Sequence, residues 1–257
     1  MSGAPGTTPP RLADKSEIRR RLNTDRDWSL YALTDLDGDM FPHCDWWALD
    51  DGLVLVFRAI PIHPIFVLGS AGATRTILAA LPETTGYLNL KPDQLSAADG
   101  IYRFRERHEM RRMLLDTFQP RPGAVETLTS DHLAGIERLY SSGDGGGIAF
   151  APYQLATGFF RGIRREGELV AVAGVHAASR QEGVAGIGNI FTRPDWRGRG
   201  FAQILTSAVV TSLREARIPT IGLNVETTNA PAIRAYEHLG FRTRFSYFEG
   251  PADRVPQ

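Results

Sequence analysis

The chain has 257 residues, 29 Lys and Arg balanced by 29 Asp and Glu, and a single cysteine, Cys44. That length can bury one large core or two small ones. Balanced charge gives no global pull toward nucleic acid or an anionic membrane, and one cysteine excludes an intramolecular disulfide and suits a reducing, cytoplasmic setting.

In chain order, the opening MSGAPGTTPPR lacks the apolar centre of a signal peptide, and residues 1–12 read as a disordered tail. No apolar run nears the roughly 18 residues of a membrane span. Residues 16–22 read as a short charged helix, and 28–33 as strand or helix. The acidic stretch 35–39 lacks the full ligand spacing and closing Glu of a calcium loop, so it reads as a solvated turn. Trp46, Trp47 and Leu49 lie on a strand joined by Asp50-Asp51-Gly52 to a second one at 53–60. Strand 65–68, the turn Gly69-Ser70-Ala71-Gly72-Ala73, a helix to Leu81, strand 87–90, short helix 92–98 and strand 101–105 follow. The charged stretch RERHEMRRMLLD comes next, and Gln119-Pro120-Arg121-Pro122-Gly123 marks a boundary where helix cannot continue. The expected division is therefore 13–120 and 121–250, with 251–257 as a C-terminal tail.

Beyond that boundary come strand 125–128, a helix capped by Ser130 or Asp131 and running through Tyr140, and a glycine-rich loop at 142–147. A short helical piece at 153–157 precedes a hairpin of 159–165 with 169–176 around Glu166-Gly167-Glu168. Strand 183–191 then enters Arg193-Pro194-Asp195 and Arg197-Gly198-Arg199-Gly200. Phe201, Ile204, Leu205, Ala208, Val209 and Leu213 recur at helical spacing in the run that follows. The glycines thus sit where a helix begins, and its first-turn amides have no intrahelical partner and carry the positive end of the dipole. With Arg197 and Arg199 this reads as a pyrophosphate cradle, or as an ordinary exposed turn ahead of a helix. Strand 218–225 leads to a second helix, capped by Thr228 or Asn229, with Pro231 in its first turn and Gly240 at its end.

These residues resemble the GNAT superfamily of acyl-CoA-dependent N-acyltransferases. Its signature Arg/Gln-x-x-Gly-x-Gly/Ala is met by Arg197-Gly198-Arg199-Gly200-Phe201-Ala202. Its later pattern of Asn, Ala, Tyr and Gly-Phe is met by Asn229, Ala232, Tyr236 and Gly240-Phe241. The resemblance covers roughly residues 125–250 and implies an α/β GNAT fold with a mixed sheet in the C-terminal half. The first half repeats the element order of 187–245 over 65–105, so a diverged, duplicated GNAT-like N-terminal half is expected, as in the glycine N-acyltransferase branch. In that copy, residues 69–73 would be a relic of the phosphate turn without its arginines.

The resemblance further implies acetyl-CoA or another acyl-CoA as cofactor, held by the backbone of Ile190, Phe191 and Thr192 and by residues 197–202, with Asn229 and Ala232 near it. Tyr236 would protonate the departing thiolate; its other reading is a tyrosine packing its helix on the sheet. Ribosomal-protein acetyltransferases of this superfamily read Leu-Glu-Val where this chain reads Leu223-Asn224-Val225, and an amide cannot take the amine's proton. Glu226 and His176 are alternative bases, each with a plainer reading as an exposed strand end and a structural histidine. The departure at Asn224 points to an acceptor unlike a ribosomal protein's N-terminus, namely a small-molecule or peptide amine. Phe159, Phe160 and residues 143–147 are expected to border it.

No pair among the six histidines has metal spacing. The basic run around Arg103 to Arg112 alternates with acids, which reads as a solvated face and not a nucleic-acid surface. Neither nucleic acid nor membrane is an expected partner, while a homodimer is compatible with the sequence. An acyl-CoA sensor that does not turn its ligand over shares the same cradle, and differs at Tyr236.

Overall fold

The structure is a computed structural model that describes residues 9–143, 147 and 149–256. Its elements in order are α1 (Lys15–Leu22), α2 (Leu30–Thr34), β1 (Cys44–Leu49), β2 (Gly52–Phe57), β3 (Pro64–Leu68), α3 (Ala71–Ala80), β4 (Thr85–Leu90), α4 (Leu95–Ala98), β5 (Tyr102–Phe104) and β6 (His108–Leu115). Then come β7 (Glu126–Thr127), α5 (Leu133–Tyr140), β8 (Arg161–Arg165), β9 (Glu168–Ser179), β10 (Val184–Thr192), α6 (Phe201–Glu215), β11 (Thr220–Glu226), α7 (Ala230–His238) and β12 (Phe241–Arg254). The chain forms two compact units: one of residues up to Met110 together with those from Ser246 onward, the other of residues 111–245.

The division lies N-terminal to the proline segment that suggested it. Two features of the sequence conceal this. The run read only as a charged stretch contains strand β6, in which Met110, Arg112, Met113 and Leu114 are buried, a pattern masked by the four arginines and three acids of residues 105–116. The segment 119–123 is no linker: Arg121 N donates to Ser207 Oγ at 2.8 Å on α6, and a Cβ at Gly123 would lie 2.6 Å from Ile204. Both ends of the chain are also more ordered than their composition suggests. Leu12 N donates to Trp46 O at 2.9 Å and Ala48 N to Pro10 O at 3.2 Å, so the ordered chain begins before residue 12. Residues 251–254, expected as a tail, pair with β4 and β5.

In the first unit β1–β2 and β2–β3 are antiparallel, and β3–β4 is parallel with α3 as the crossover. In the second, β8–β9 and β9–β10 are antiparallel, and β10–β11 is parallel with α6 as the crossover. The same mixed topology thus occurs twice, as the element order suggested. In each unit a parallel step forces a helical crossover, because a tight turn cannot join parallel strands. The antiparallel strand next to that step is buried along most of its length in each unit: β2 throughout, and β9 from Leu169 to Val175. The second unit's core joins those strands to Leu205, Val209 and Leu213 on α6 and to Ile233 and Tyr236 on α7.

Gly240 closes α7 with φ +96, and a Cβ there would fall inside van der Waals contact of Thr117 O. Its own carbonyl accepts from Asp116 N at 3.0 Å. We expect Gly240→Ala to destabilise the second unit by on the order of 3 kcal/mol, combining left-handed strain with a backbone clash. Urea denaturation measures this; a loss below about 1 kcal/mol would contradict it.

Candidate active site

Strands β10 and β11 pair over four residues only, from Val184↔Thr220 to Ile187↔Leu223. β10 nevertheless continues to pair with β9 as far as Thr192↔Ala171. The two parallel strands therefore part after Ile187 and Leu223, and residues 188–192 border a split in the sheet.

A bulge re-aims β10 within that split. The register with β9 runs Gly188↔Gly174 and then Phe191↔Val172, so β10 carries one extra residue, and Asn189 adopts φ 55. Gly183 O accepts from Thr220 N, which directs odd-numbered residues toward β11 before the bulge. After it, Arg193 N donates to Val170 O at 2.9 Å, so Phe191 and Arg193 face β9. The backbone groups of Ile190 and Thr192 then face the split. Of the three contacts expected at 190–192, the structure turns these two residues toward the opening and commits Phe191 to the sheet.

Side chains that sequence reasoning missed fix this bulge. Tyr140 Oη donates to Asn189 O at 3.0 Å. Asn189 Nδ2 donates to Gln154 Oε1 at 2.8 Å and to Val175 O at 3.2 Å, and Gln154 Nε2 donates to His176 O at 3.1 Å. Gln154 and Asn189 are buried, so each bond replaces one to water. Their positions in unremarkable sequence give no motif signal; only the positive φ of Asn189 would have been suggestive, asparagine tolerating it well.

The turn after β10 supplies the cradle. Gly198 and Gly200 have φ 76 and 78, which explains glycine at both. Gly200 is the N-cap of α6 and offers no side-chain cap, and the first i→i−4 bond runs from Ile204 N to Gly200 O. The amides of Phe201, Ala202 and Gln203 thus precede the helical ladder. Arg197 Nε donates to Thr192 O at 3.1 Å, and the Arg199 guanidinium lies 4.3 Å from the Trp196 ring centroid, while Arg193 pairs with Asp195 at 2.8 Å. Arg121, read from the sequence only as part of a boundary, lies 2.9 Å from the position of a Cβ on Gly200 and bonds to Gln203. Arg121, Arg197 and Arg199 surround a helix N-terminus that no acidic residue of α6's first turn neutralises.

Across the split, Asn229 caps α7 by accepting from Ala232 N at 3.2 Å, which engages the Ala232 amide. Tyr236 is buried, its ring packed edge-on against Phe241 at 6.3 Å. Asn224 is the first residue of β11 beyond its last partner on β10 and accepts from Arg112 Nε at 2.5 Å. Glu226 is exposed at the strand end, with Thr228 Oγ1 at 3.4 Å. Phe160 is fully buried beneath Gly174, and Phe159 lies under Arg180. Gly143 abuts Pro194 and Phe191, at 3.0 and 3.3 Å from the position of a Cβ; residues 144–146 of the expected acceptor loop lie outside the described residues.

His176 is the extra residue of a second bulge, on β9, and its ring fills the place of a side chain on Gly188. Burial pushes its imidazole down to about 4. The neutral ring is therefore already established well below neutrality, and its basicity is poor. Because the folded pKa lies below the ordinary value near 6.5, its contribution to stability is present above pH 6.5 and lost as the pH falls toward 4. We expect ~2 kcal/mol of wild-type stability to disappear across that window and the loss to be smaller in His176→Gln, as read by denaturation at a series of pH values. Equal losses would place the effect elsewhere.

Among the described residues no group of three His, Cys, Asp or Glu side chains is placed to hold a metal, and no helix is long and apolar enough to cross a membrane.

Residues 131–241 match the sequence model of the Acetyltransferase (GNAT) family. A mycothiol acetyltransferase of Acidothermus cellulolyticus is 39% identical over 98 residues, covering 33% of this chain and 30% of that protein. The chain thus matches less than a third of that relative's length. Crystal structures of similar fold include a protein described as a GNAT-family acetyltransferase from Novosphingobium aromaticivorans, with TM-score 0.65 and 21% identity over 90% of this chain and all of that one. A tandem GNAT protein from the clavulanic acid biosynthesis pathway aligns over 96% of this chain and 98% of its own, with TM-score 0.57 and 13% identity. The two-unit architecture and the second unit's split sheet, glycine turn and α7 agree with these matches: residues 131–241 carry the sequence pattern of the GNAT family, on a fold shared with the solved GNAT structures.

Proposed function

We propose that the second unit binds acetyl-CoA, or another short acyl-CoA, and transfers the acyl group to the amine of a small molecule or peptide. The observation that carries this reading is the parting of β10 and β11 directly ahead of the glycine turn. An extended thioester arm can lie in the split and bond to Ile190 and Thr192 as an added strand would, while its pyrophosphate meets the amides of residues 201–203 and the surrounding arginines. The family match over residues 131–241 and the relatives named as acetyltransferases support the same chemistry. The acceptor named in those relatives is not carried over, since so little of their length is shared.

In this reading the amine nitrogen attacks the thioester carbon, and the carbon–sulfur bond breaks. Amides of β10 that face the split polarise the carbonyl. Tyr236 gives its hydroxyl proton to the departing sulfur, and the amine's surplus proton leaves through Glu226 or solvent. His176 is excluded as the base by its place against Gly188 and its low basicity. The first unit is not assigned a second acyl-CoA site, because its own residues fill the equivalent positions. Trp28 Nε1 donates to Val67 O at 2.6 Å where β3 parts from β4, and the Asp51 carboxylate accepts from Ser70 N at 2.9 Å ahead of α3.

Two variants test this reading. Ala202→Glu places a carboxylate in the first turn of α6, where the helix tolerates it well. It should weaken acetyl-CoA binding by on the order of 10-fold or more by calorimetry, since a fixed anion takes the pyrophosphate's place. Tyr236→Phe should bind acetyl-CoA as the wild type does and lower kcat for thiol release by ~10²–10⁴-fold. Binding by the wild type with no thiol release on any amine would instead indicate an acyl-CoA sensor.

A further inference from the structure

We infer that Asn224 is the acceptor-specificity residue of this site, and that it selects amines whose α-carbon bears a carbonyl or carboxylate group. The inference rests on the acyltransferase reading above. Asn224 is the first residue of β11 past the last β10 pair, and it is only half-buried, so it borders the split where the reacting atoms would meet.

The orientation of its amide is set by chemistry alone. Arg112 Nε lies 2.5 Å from one end of the Asn224 side chain, and a guanidinium can only donate. That end must be Oδ1, whichever way the amide is drawn. Arg112 is only 4% exposed, on the neighbouring strand β6, and its guanidinium lies over the Phe245 ring at 5.9 Å. It is thus a positioning residue held by packing on both sides. With Oδ1 turned to Arg112, the other end of the Asn224 amide is Nδ2, a hydrogen-bond donor.

A donor at this position has two consequences. The amide cannot take a proton from an ammonium group, and its Nδ2 cannot accept a hydrogen bond from one. It can bond to an oxygen carried by the acceptor. The side chain at this point in the strand therefore reads the acceptor's oxygen, where a carboxylate would read its ammonium group.

The test compares alaninamide with isopropylamine, which differ by a carboxamide in place of a methyl substituent next to the amine. Rates of thiol release are expressed as kcat/KM per free amine, which removes the difference in protonated fraction, and the comparison of the ratio between variants cancels the difference in intrinsic nucleophilicity. We expect the wild type to prefer alaninamide by about 10-fold or more, and Asn224→Leu and Asn224→Asp, both close in size and neither able to donate, to bring the two within about 3-fold. Arg112→Leu, which releases the amide to turn over, should lower the same ratio. A purely structural role for the pair would reduce both rates together, and an unchanged ratio in the two Asn224 variants would overturn the inference while leaving the acyltransferase intact. Absence of thiol release from the wild type with every amine would overturn the activity reading, and the inference with it.

Discussion

Everything proposed for this protein depends on one departure from regular pairing: β10 keeps its partner on one side after losing it on the other. A strand edge without a partner is costly in a buried sheet, because each unpaired amide or carbonyl forfeits a hydrogen bond to water. Here the cost is limited by the bulge at Asn189, which satisfies the deviant carbonyl through Tyr140 and the asparagine side chain through Gln154 and Val175. The bulge also changes which backbone groups face the opening. Without it, alternation would continue the odd-numbered residues toward β11; with it, Ile190 and Thr192 take that direction. The strand that frames the site is therefore aimed by buried polar side chains on α5 and in the segment before β8, not by the signature residues themselves.

The two units show what the same topology does with and without such an opening. In the first, β3 and β4 also part after three paired residues, yet the carbonyl that faces the gap, Val67 O, is bonded by the Trp28 indole and by Gln94 Nε2 at 3.2 Å. Trp28 is almost completely buried between Phe66 and Tyr247, with ring centroids at 5.4 and 5.3 Å. Ahead of α3 the internal carboxylate of Asp51 takes both the amide and the hydroxyl of Ser70. A protein side chain stands at each place where the second unit offers backbone or positive charge. This gives a physical reason, beyond missing arginines, why one copy of a duplicated fold would retain chemistry and the other scaffold.

Much of this was legible in the sequence, and the parts that were not have specific causes. The strand, turn and helix at 183–216 could be read because glycines at positive φ and an apolar stripe at helical spacing each carry a local signal. The cap by Asn229 and the stop at Gly240 were legible for the same reason. Strand β6 was not, since the burial of its arginine depends on tertiary partners: Asn224 and Phe245 are among the groups that meet Arg112. The proline-rich segment at 119–123 looked like a linker, although its Arg121 and Gly123 lie on α6. Tyr140, Gln154 and Arg121 sit far from the signature in sequence and reach it only through folding, which no local pattern reports.

Backbone hydrogen exchange with and without acetyl-CoA reads the very amides that the split and the glycine turn would offer to the ligand. Added acetyl-CoA should slow exchange at Ile190, Thr192, Phe201 and Ala202, and leave the turn at residues 69–73 unaffected. Unchanged exchange along residues 188–192, or protection concentrated ahead of α3, would contradict the assignment of the split between β10 and β11 as the acyl-CoA site.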